Sequence, residues 1–226
     1  MRPWELLDTA VVPGDGGDLR LYRRGDEFSI KAGYAELMNS RVHGSEDALA
    51  ELACQRIQKN KPNPRILIGG LGMGFTLAAA LKELSSEASI DVAELVPAVV
   101  AWNKGHLAAL ADHPLDDPRA TVHKCDVSKL IRSKKTAYDA ILLDVDNGPE
   151  GLTRKENNAL YSPAGLCASL SALQPSGIFG VWSISPDQKF SKKLINAGFK
   201  VDEVRARARG KRGGGNHMIW LGTKKS

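Results

Sequence analysis

The chain reads as an α/β protein, a doubly wound and mostly parallel sheet with a small N-terminal β-hairpin attached. Three observations predict this class. From Ser45 onward, short apolar runs alternate with segments of helical periodicity, the rhythm of right-handed βαβ crossovers. Gly70-Leu71-Gly72-Met73-Gly74 lies between the first apolar run and the helical segment after it, where a Rossmann-like sheet places its ligand-binding turn. Before Ser45, apolar residues instead alternate singly about a charged turn, a half-buried β pattern.

The 226 residues fit one large domain with an appendage, divided here into residues 1–44 and 45–226. Hydrophobic residues make up 42% and charged residues 25%, which excludes general disorder. The opening MRPWELLDTAVVPGDGG lacks a signal-peptide apolar core, and no stretch is apolar for long enough to span a bilayer. A cytoplasmic location without membrane contact is therefore expected. Cys54, Cys125 and Cys167 are odd in number and far apart; they are expected to be buried reduced thiols, with no metal site. The net charge of +5 belongs to the C-terminal end, where Arg205, Arg207, Arg209, Lys211, Arg212, Lys224 and Lys225 have no acid among them. Nucleic-acid binding by the whole domain is not implied.

Leu19, Leu21, Phe28 and Ile30 alternate about Arg23-Arg24-Gly25-Asp26, which gives the hairpin over 18–30. A helix is expected over 45–59, with Ala48, Leu49, Leu52, Ala53 and Ile57 on one face, Ser45 as N-cap, and Glu46 and Asp47 suiting the positive end of the helix dipole. Pro62 and Pro64 separate it from Arg65-Ile66-Leu67-Ile68, a buried parallel strand. An Ala- and Leu-rich helix follows over 76–84. Then come strand 90–95, helix 97–110, strands 120–125 and 138–143, helix 164–173, strand 177–183, helix 190–197, and closing strands 200–205 and 217–222. Trp182 and Trp220 fall on strands and are assigned to the core. His43 and His113 stand in polar surroundings and are read as solvent-facing.

In such sheets ligands bind outside the carboxyl ends of the strands, so the residue after each strand carries the information. Gly70, Gly72 and Gly74 allow a tight turn and a close backbone approach to a ligand. The dinucleotide fingerprint wants another glycine where Phe75 stands, so the turn suits a methyltransferase-type nucleoside instead. Glu94, with Leu95 beside it, ends the second strand, where an acid can accept from both ribose hydroxyls. Asp126 follows the third, placed for an adenine amino group with Val127 flanking the ring, and equally placed to cap a helix over 127–131. The fourth ends in Asp144-Val145-Asp146-Asn147-Gly148-Pro149. Its spacing is not that of a calcium loop, and acids at the mouth of a sheet are costly unless a cation or donor meets them.

Glycine turn, acidic second strand end, aspartate after the third and aspartate-rich end of the fourth together resemble the spermidine synthases, the polyamine aminopropyltransferases within the class I S-adenosylmethionine-dependent methyltransferase fold. The preceding hairpin is similar to that family's small N-terminal β-domain, shortened. The resemblance covers most of the chain. It implies that Gly70, Gly72 and Gly74 cradle the methionine-derived tail of S-adenosylmethionine or its decarboxylated form, with Glu94 on the ribose and Asp126 on the adenine. It implies that Asp144 receives the nucleophilic amine, with Asp146 as a second catalytic carboxylate and Asn147 and Tyr161 on the substrate side. Methylthioadenosine or S-adenosylhomocysteine would be the product. An alkyl amine of pKa about 10.4 must lose a proton before it attacks a sulfonium carbon, which is the task given to Asp144. The polar stretch Gly151–Tyr161 reads either as the family's lid over the second substrate or as an ordinary surface loop, with Tyr161 lining the pocket or packing on the sheet. A homodimer is the implied assembly.

Two positions depart from the family pattern. The glycine turn's aspartate is Gly72 here, and the second aspartate of the D-S-x-D-P run is Asn147, followed by Gly148. The first departure removes a partner for a cationic amine and a repulsion against the carboxylate of intact S-adenosylmethionine. Three readings follow: aminopropyl transfer to an amine; methyl transfer to a small molecule or RNA; and a nucleoside-binding protein without turnover. Arg205–Arg212 is a basic hairpin tip able to meet RNA phosphates, but it lacks stacking aromatics, so a small-molecule acceptor is favoured.

Overall fold

The computed structural model describes residues 2–14, 17–58, 61–145, 159–210 and 213–225. Its N-terminal part is larger than the expected hairpin. Strands β1 (Glu5–Val11), β2 (Asp18–Arg24), β3 (Glu27–Ala32) and β4 (Ala35–Asn39) form an antiparallel meander in that order. Leu19, Leu21 and Ile30 point inward on alternate positions and share one core with helix α1 (Gly44–Gln58). Trp102 Nε1 donates to Asp8 Oδ2 at 2.6 Å and ties β1 to the larger sheet's helical layer.

The second sheet contains β5 (Arg65–Gly69), β6 (Ser89–Ala93), β7 (Ala120–His123), β8 (Tyr138–Leu143), β9 (Leu173–Ser183), β10 (Phe199–Arg207) and β11 (Asn216–Lys224), ordered β10-β11-β9-β8-β5-β6-β7. The pairs from β7 to β9 are parallel, and β11 runs antiparallel between β9 and β10. Between the strands lie α2 (Phe75–Glu83), α3 (Pro97–Lys104), α4 (Val127–Ser133), α5 (Pro163–Ala172) and α6 (Gln188–Asn196). Ile66, Ile68 and Leu142 pack in one cluster with residues of α1 to α3; Leu67, Ile141 and Leu143 pack in the other with Ile131, Leu166 and Phe190 of α4 to α6. Burial on both faces explains why β8 is enclosed at every position.

From β5 the chain moves outward through β6 and β7, then returns to β8 on the other side of β5. That reversal opens a crevice at the carboxyl ends of β5 and β8. Helix α3 stops at Lys104, short of the expected residue 110, and Ala108–Ala111 is a separate 3-10 turn. Cys54 is buried, Cys125 half-buried and Cys167 exposed on α5, so burial holds only for the first. Among the described residues, no helix is long and apolar enough to cross a membrane.

Candidate active site

Gly70 follows β5 with φ +89°, and a Cβ there would stand 2.3 Å from the Asp144 carbonyl oxygen. Glycine is required because the loop touches the end of β8 backbone to backbone. Gly70 N donates to Ala93 O and Asp144 N to Gly69 O, both at 2.9 Å. Asn103, 2% exposed on α3, donates from Nδ2 to the carbonyls of Gly72 and Val99 at 2.8 and 2.9 Å. This clamp on the glycine turn belongs to no motif, and only its position on an otherwise apolar helix face hints at it.

Gly70, Gly72, Glu94, Leu95, Asp126, Val127 and Asp144 line one cavity. Glu94 is 7% exposed; its Oε2 accepts from Leu71 N at 2.9 Å and its Oε1 from Val96 N at 2.8 Å. Burial raises its carboxyl above the usual range, against the opposing effect of these backbone donors. Glu94 therefore stitches the glycine turn to the end of β6 while its carboxyl lines the cavity. Asp126 caps α4, accepting from Ser128 N at 2.7 Å, while it faces the cavity. Gly74 sits at the start of α2 and is not on the cavity wall.

Asp144 opens onto the cavity and accepts from Thr76 Oγ1 at 2.7 Å. Burial pushes its carboxyl up to about 6, although the Thr76 hydroxyl works against this. Glu46 lines the same cavity, 6% exposed. Burial and the neighbouring Asp144 carboxylate push it up to about 8, less what the Ser45 hydroxyl returns. Two such carboxyls titrate as a pair, each disfavouring the ionisation of the other. Ser45 Oγ donates to Glu46 Oε2 at 2.8 Å and lies 2.8 Å from His217 Nδ1. With its single hydrogen given to Glu46, Ser45 accepts from His217, whose proton then sits on Nδ1.

Glu46 is the site residue that sequence reasoning missed. Read as a charge near a helix N-terminus, it is carried into the cavity because α1 begins at Gly44, packed beside Ala208 and Gly210 of the β10–β11 hairpin. Ser45 is accordingly not the N-cap. Trp182 belongs to the buried core, as expected, and also lines the cavity. Tyr161 lies among the buried residues of the α4–α6 layer, edge-on to Phe190 at 5.4 Å, and is not on the cavity wall; burial of its ring against Phe190 draws it there. His43 stacks on Phe75 at 4.0 Å and pairs with Asp47 at 2.8 Å, so it is held rather than free in solvent. Asp146, Asn147, most of the Gly151–Tyr161 segment, Lys211 and Arg212 lie outside the described residues.

No family model matches the chain. Polyamine aminopropyltransferase 2 of Bacillus cereus is 29% identical over 131 residues, which is 54% of this chain and 32% of that protein. The match thus spans about a third of the relative's length. The spermidine synthase of Thermotoga maritima superposes with a TM-score of 0.77 at 18% identity, over 97% of this chain and 72% of that one. The fold is that of the spermidine synthases. A spermidine synthase in complex with the transition-state analogue AdoDATO gives 0.73 at 17% identity, with the same coverage. Human methyltransferase-like protein 13 in complex with SAH gives 0.56 at 20% identity, over 81% of this chain and 80% of that one. The chain thus shares its fold with both aminopropyl- and methyltransferase-named proteins.

Proposed function

We propose that the chain is a transferase that binds an S-adenosylmethionine-type sulfonium nucleoside and moves an alkyl group onto an amine, in the leading reading the aminopropyl group of decarboxylated S-adenosylmethionine. The observation that carries this is Asp144 at the switch point, touching the glycine turn through its backbone and raised to about 6 by burial. A carboxylate of that basicity is ionised at neutral pH yet closer than an ordinary aspartate to the pKa a proton acceptor needs. The cavity residues fit the nucleoside: the glycine turn brings its backbone to the cavity wall for the tail, Glu94 lines the cavity with a carboxyl for ribose hydroxyls, and Asp126 and Val127 line it for the adenine.

When bound, the nucleoside supplies an electrophilic carbon and a neutral thioether leaving group. Asp144 takes a proton from the ammonium of the acceptor, so that the nitrogen lone pair is exposed. The N–C bond forms as the C–S bond breaks, and its electron pair stays on sulfur. Thr76 fixes Oδ2 of Asp144 and so orients the carboxylate for in-line attack.

A second reading, methyl transfer from intact S-adenosylmethionine, is favoured by Gly72, where no acid opposes the cofactor's carboxylate. Calorimetric titration with S-adenosylmethionine, decarboxylated S-adenosylmethionine and methylthioadenosine, with Glu94→Ala as control, separates the two. Preference for the decarboxylated form supports aminopropyl transfer, and preference for the intact form supports methyl transfer. Absence of binding to all three overturns both.

A further inference from the structure

On the transferase reading above, we infer that Glu46 and Asp144 together hold the ammonium of the acceptor, and that this acceptor is an amine with one cationic head and an apolar body. The place where the family resemblance puts an acid at the turn is filled. A Cβ on Gly72 would lie 2.7 Å from Met38 Cε and 3.0 Å from Met38 Sδ. Met38, from β4, thus occupies the volume a residue-72 side chain would need and faces the cavity with a thioether. Residue 72 itself thus offers a second ammonium no carboxylate.

The acid has moved to α1 instead. Glu46 lines the same cavity as Asp144, and neither forms an ion pair among the described residues. The carboxyls of Glu46 and Asp144 are near enough to act on one another, so they form a single anionic site for one ammonium, with no acid at residue 72 to hold a second. The cavity beyond them is walled by Val12, Leu19, Ile30 and Leu37 of the N-terminal meander, apolar surface that favours a hydrocarbon chain over a hydrated cation. An independent sign of an absent ligand is Trp182. It lines the same cavity at 7% exposure, and its Nε1–H finds no acceptor among the described residues. A buried donor in that state is costly until a ligand atom meets it.

During transfer the ammonium gives its proton to Asp144, leaving that carboxyl protonated and the amine neutral. After the N–C bond forms and the C–S bond breaks, the new secondary ammonium carries the charge lost by sulfur, and the pair releases the extra proton to solvent.

The test is calorimetric titration of the full chain, saturated with methylthioadenosine, using hexylamine and putrescine as probes. Hexylamine is expected to bind at least about tenfold more tightly than putrescine, and Glu46→Gln to weaken hexylamine by about tenfold or more, the scale of one buried charge-assisted contact. Methylthioadenosine affinity should be unchanged in Glu46→Gln, which also reports that the variant is folded. Gly72→Asp combined with Met38→Ala should shift preference toward putrescine. Equal or tighter putrescine binding by the natural chain, or a Glu46→Gln variant that keeps both ligands, overturns the proposal and leaves the transferase reading intact. Failure of the natural chain to bind methylthioadenosine overturns the transferase reading, and this proposal with it.

Discussion

Acids at the two ends of the parallel sheet are treated differently. At the amino ends and along the flank, each has a cation: Asp139 meets Lys61 at 2.5 Å and accepts from Arg65 N, Asp91 lies between Arg65 and His123, and Asp117 pairs with Arg119. Burial would raise Asp91, but His123 and Arg65 outweigh it and hold its carboxyl low; Arg119 does the same for Asp117. At the carboxyl ends Glu46, Glu94 and Asp144 have no such partner among the described residues, and all three are raised. The first group is neutralised by the fold and stabilises it. The second group is left to be neutralised by protons or by a ligand, which is how a binding site differs from a structural ion pair.

That contrast predicts which substitutions damage function and which damage stability. Asp144→Asn should reduce methylthioadenosine release from decarboxylated S-adenosylmethionine and an amine by about 10²–10⁴-fold, without lowering the urea midpoint at pH 8. Retained turnover would remove Asp144 from the chemistry. Gly70→Ala puts a methyl against the Asp144 carbonyl in a left-handed conformation and should cost roughly 2–4 kcal/mol in urea unfolding. Asp139→Ala strips the acceptor from Lys61 and from Arg65 N and should cost about 1–3 kcal/mol. Its nucleoside affinity should equal that of the natural chain. A loss of affinity with unchanged stability would mean that the two ends of the sheet are not separable in this way.

The same contrast explains what could be read in the sequence. Strands β5, β6 and β8 are recognisable because burial on both faces makes them continuous apolar runs, and Gly70, Glu94, Asp126 and Asp144 are recognisable because they end those strands or follow them. The outer strands of the meander are not. Strand β1 buries only Ala10, and β4 buries no residue fully, so neither has the alternation that marked β2 and β3. Glu46, Met38 and Asn103 reach the site from elements remote in sequence, and nothing local separates Glu46 from Asp47, its neighbour on the same helical turn. An aromatic on a central strand is usually packed in the core; that Trp182 also meets the cavity depends on residues remote in sequence, such as Leu37 and Met38, that line it with Trp182.

The smallest expected effect is also the most direct probe of the Glu46 proton. The folded state raises Glu46 to about 8, against about 4.3 in an unfolded chain, so the fold binds this proton more tightly. The stability gained from that proton is complete below the unfolded pKa and is lost as pH rises toward the folded value. Glutamine copies the protonated form and does not titrate. The groups that act on Glu46 are Asp144 across the cavity, Asp47 beside it, and His217 through Ser45, and all remain in the variant. Glu46→Gln should match the natural chain in urea unfolding near pH 4 and exceed it by a margin that grows as the pH rises from there to 8.5. The divergence should vanish once an ammonium ligand saturates the site, because a cation then stabilises the ionised pair in the natural chain. Parallel stability curves across that range would mean that Glu46 is ionised and compensated by a group other than a ligand, which would place it with the paired acids at the other end of the sheet.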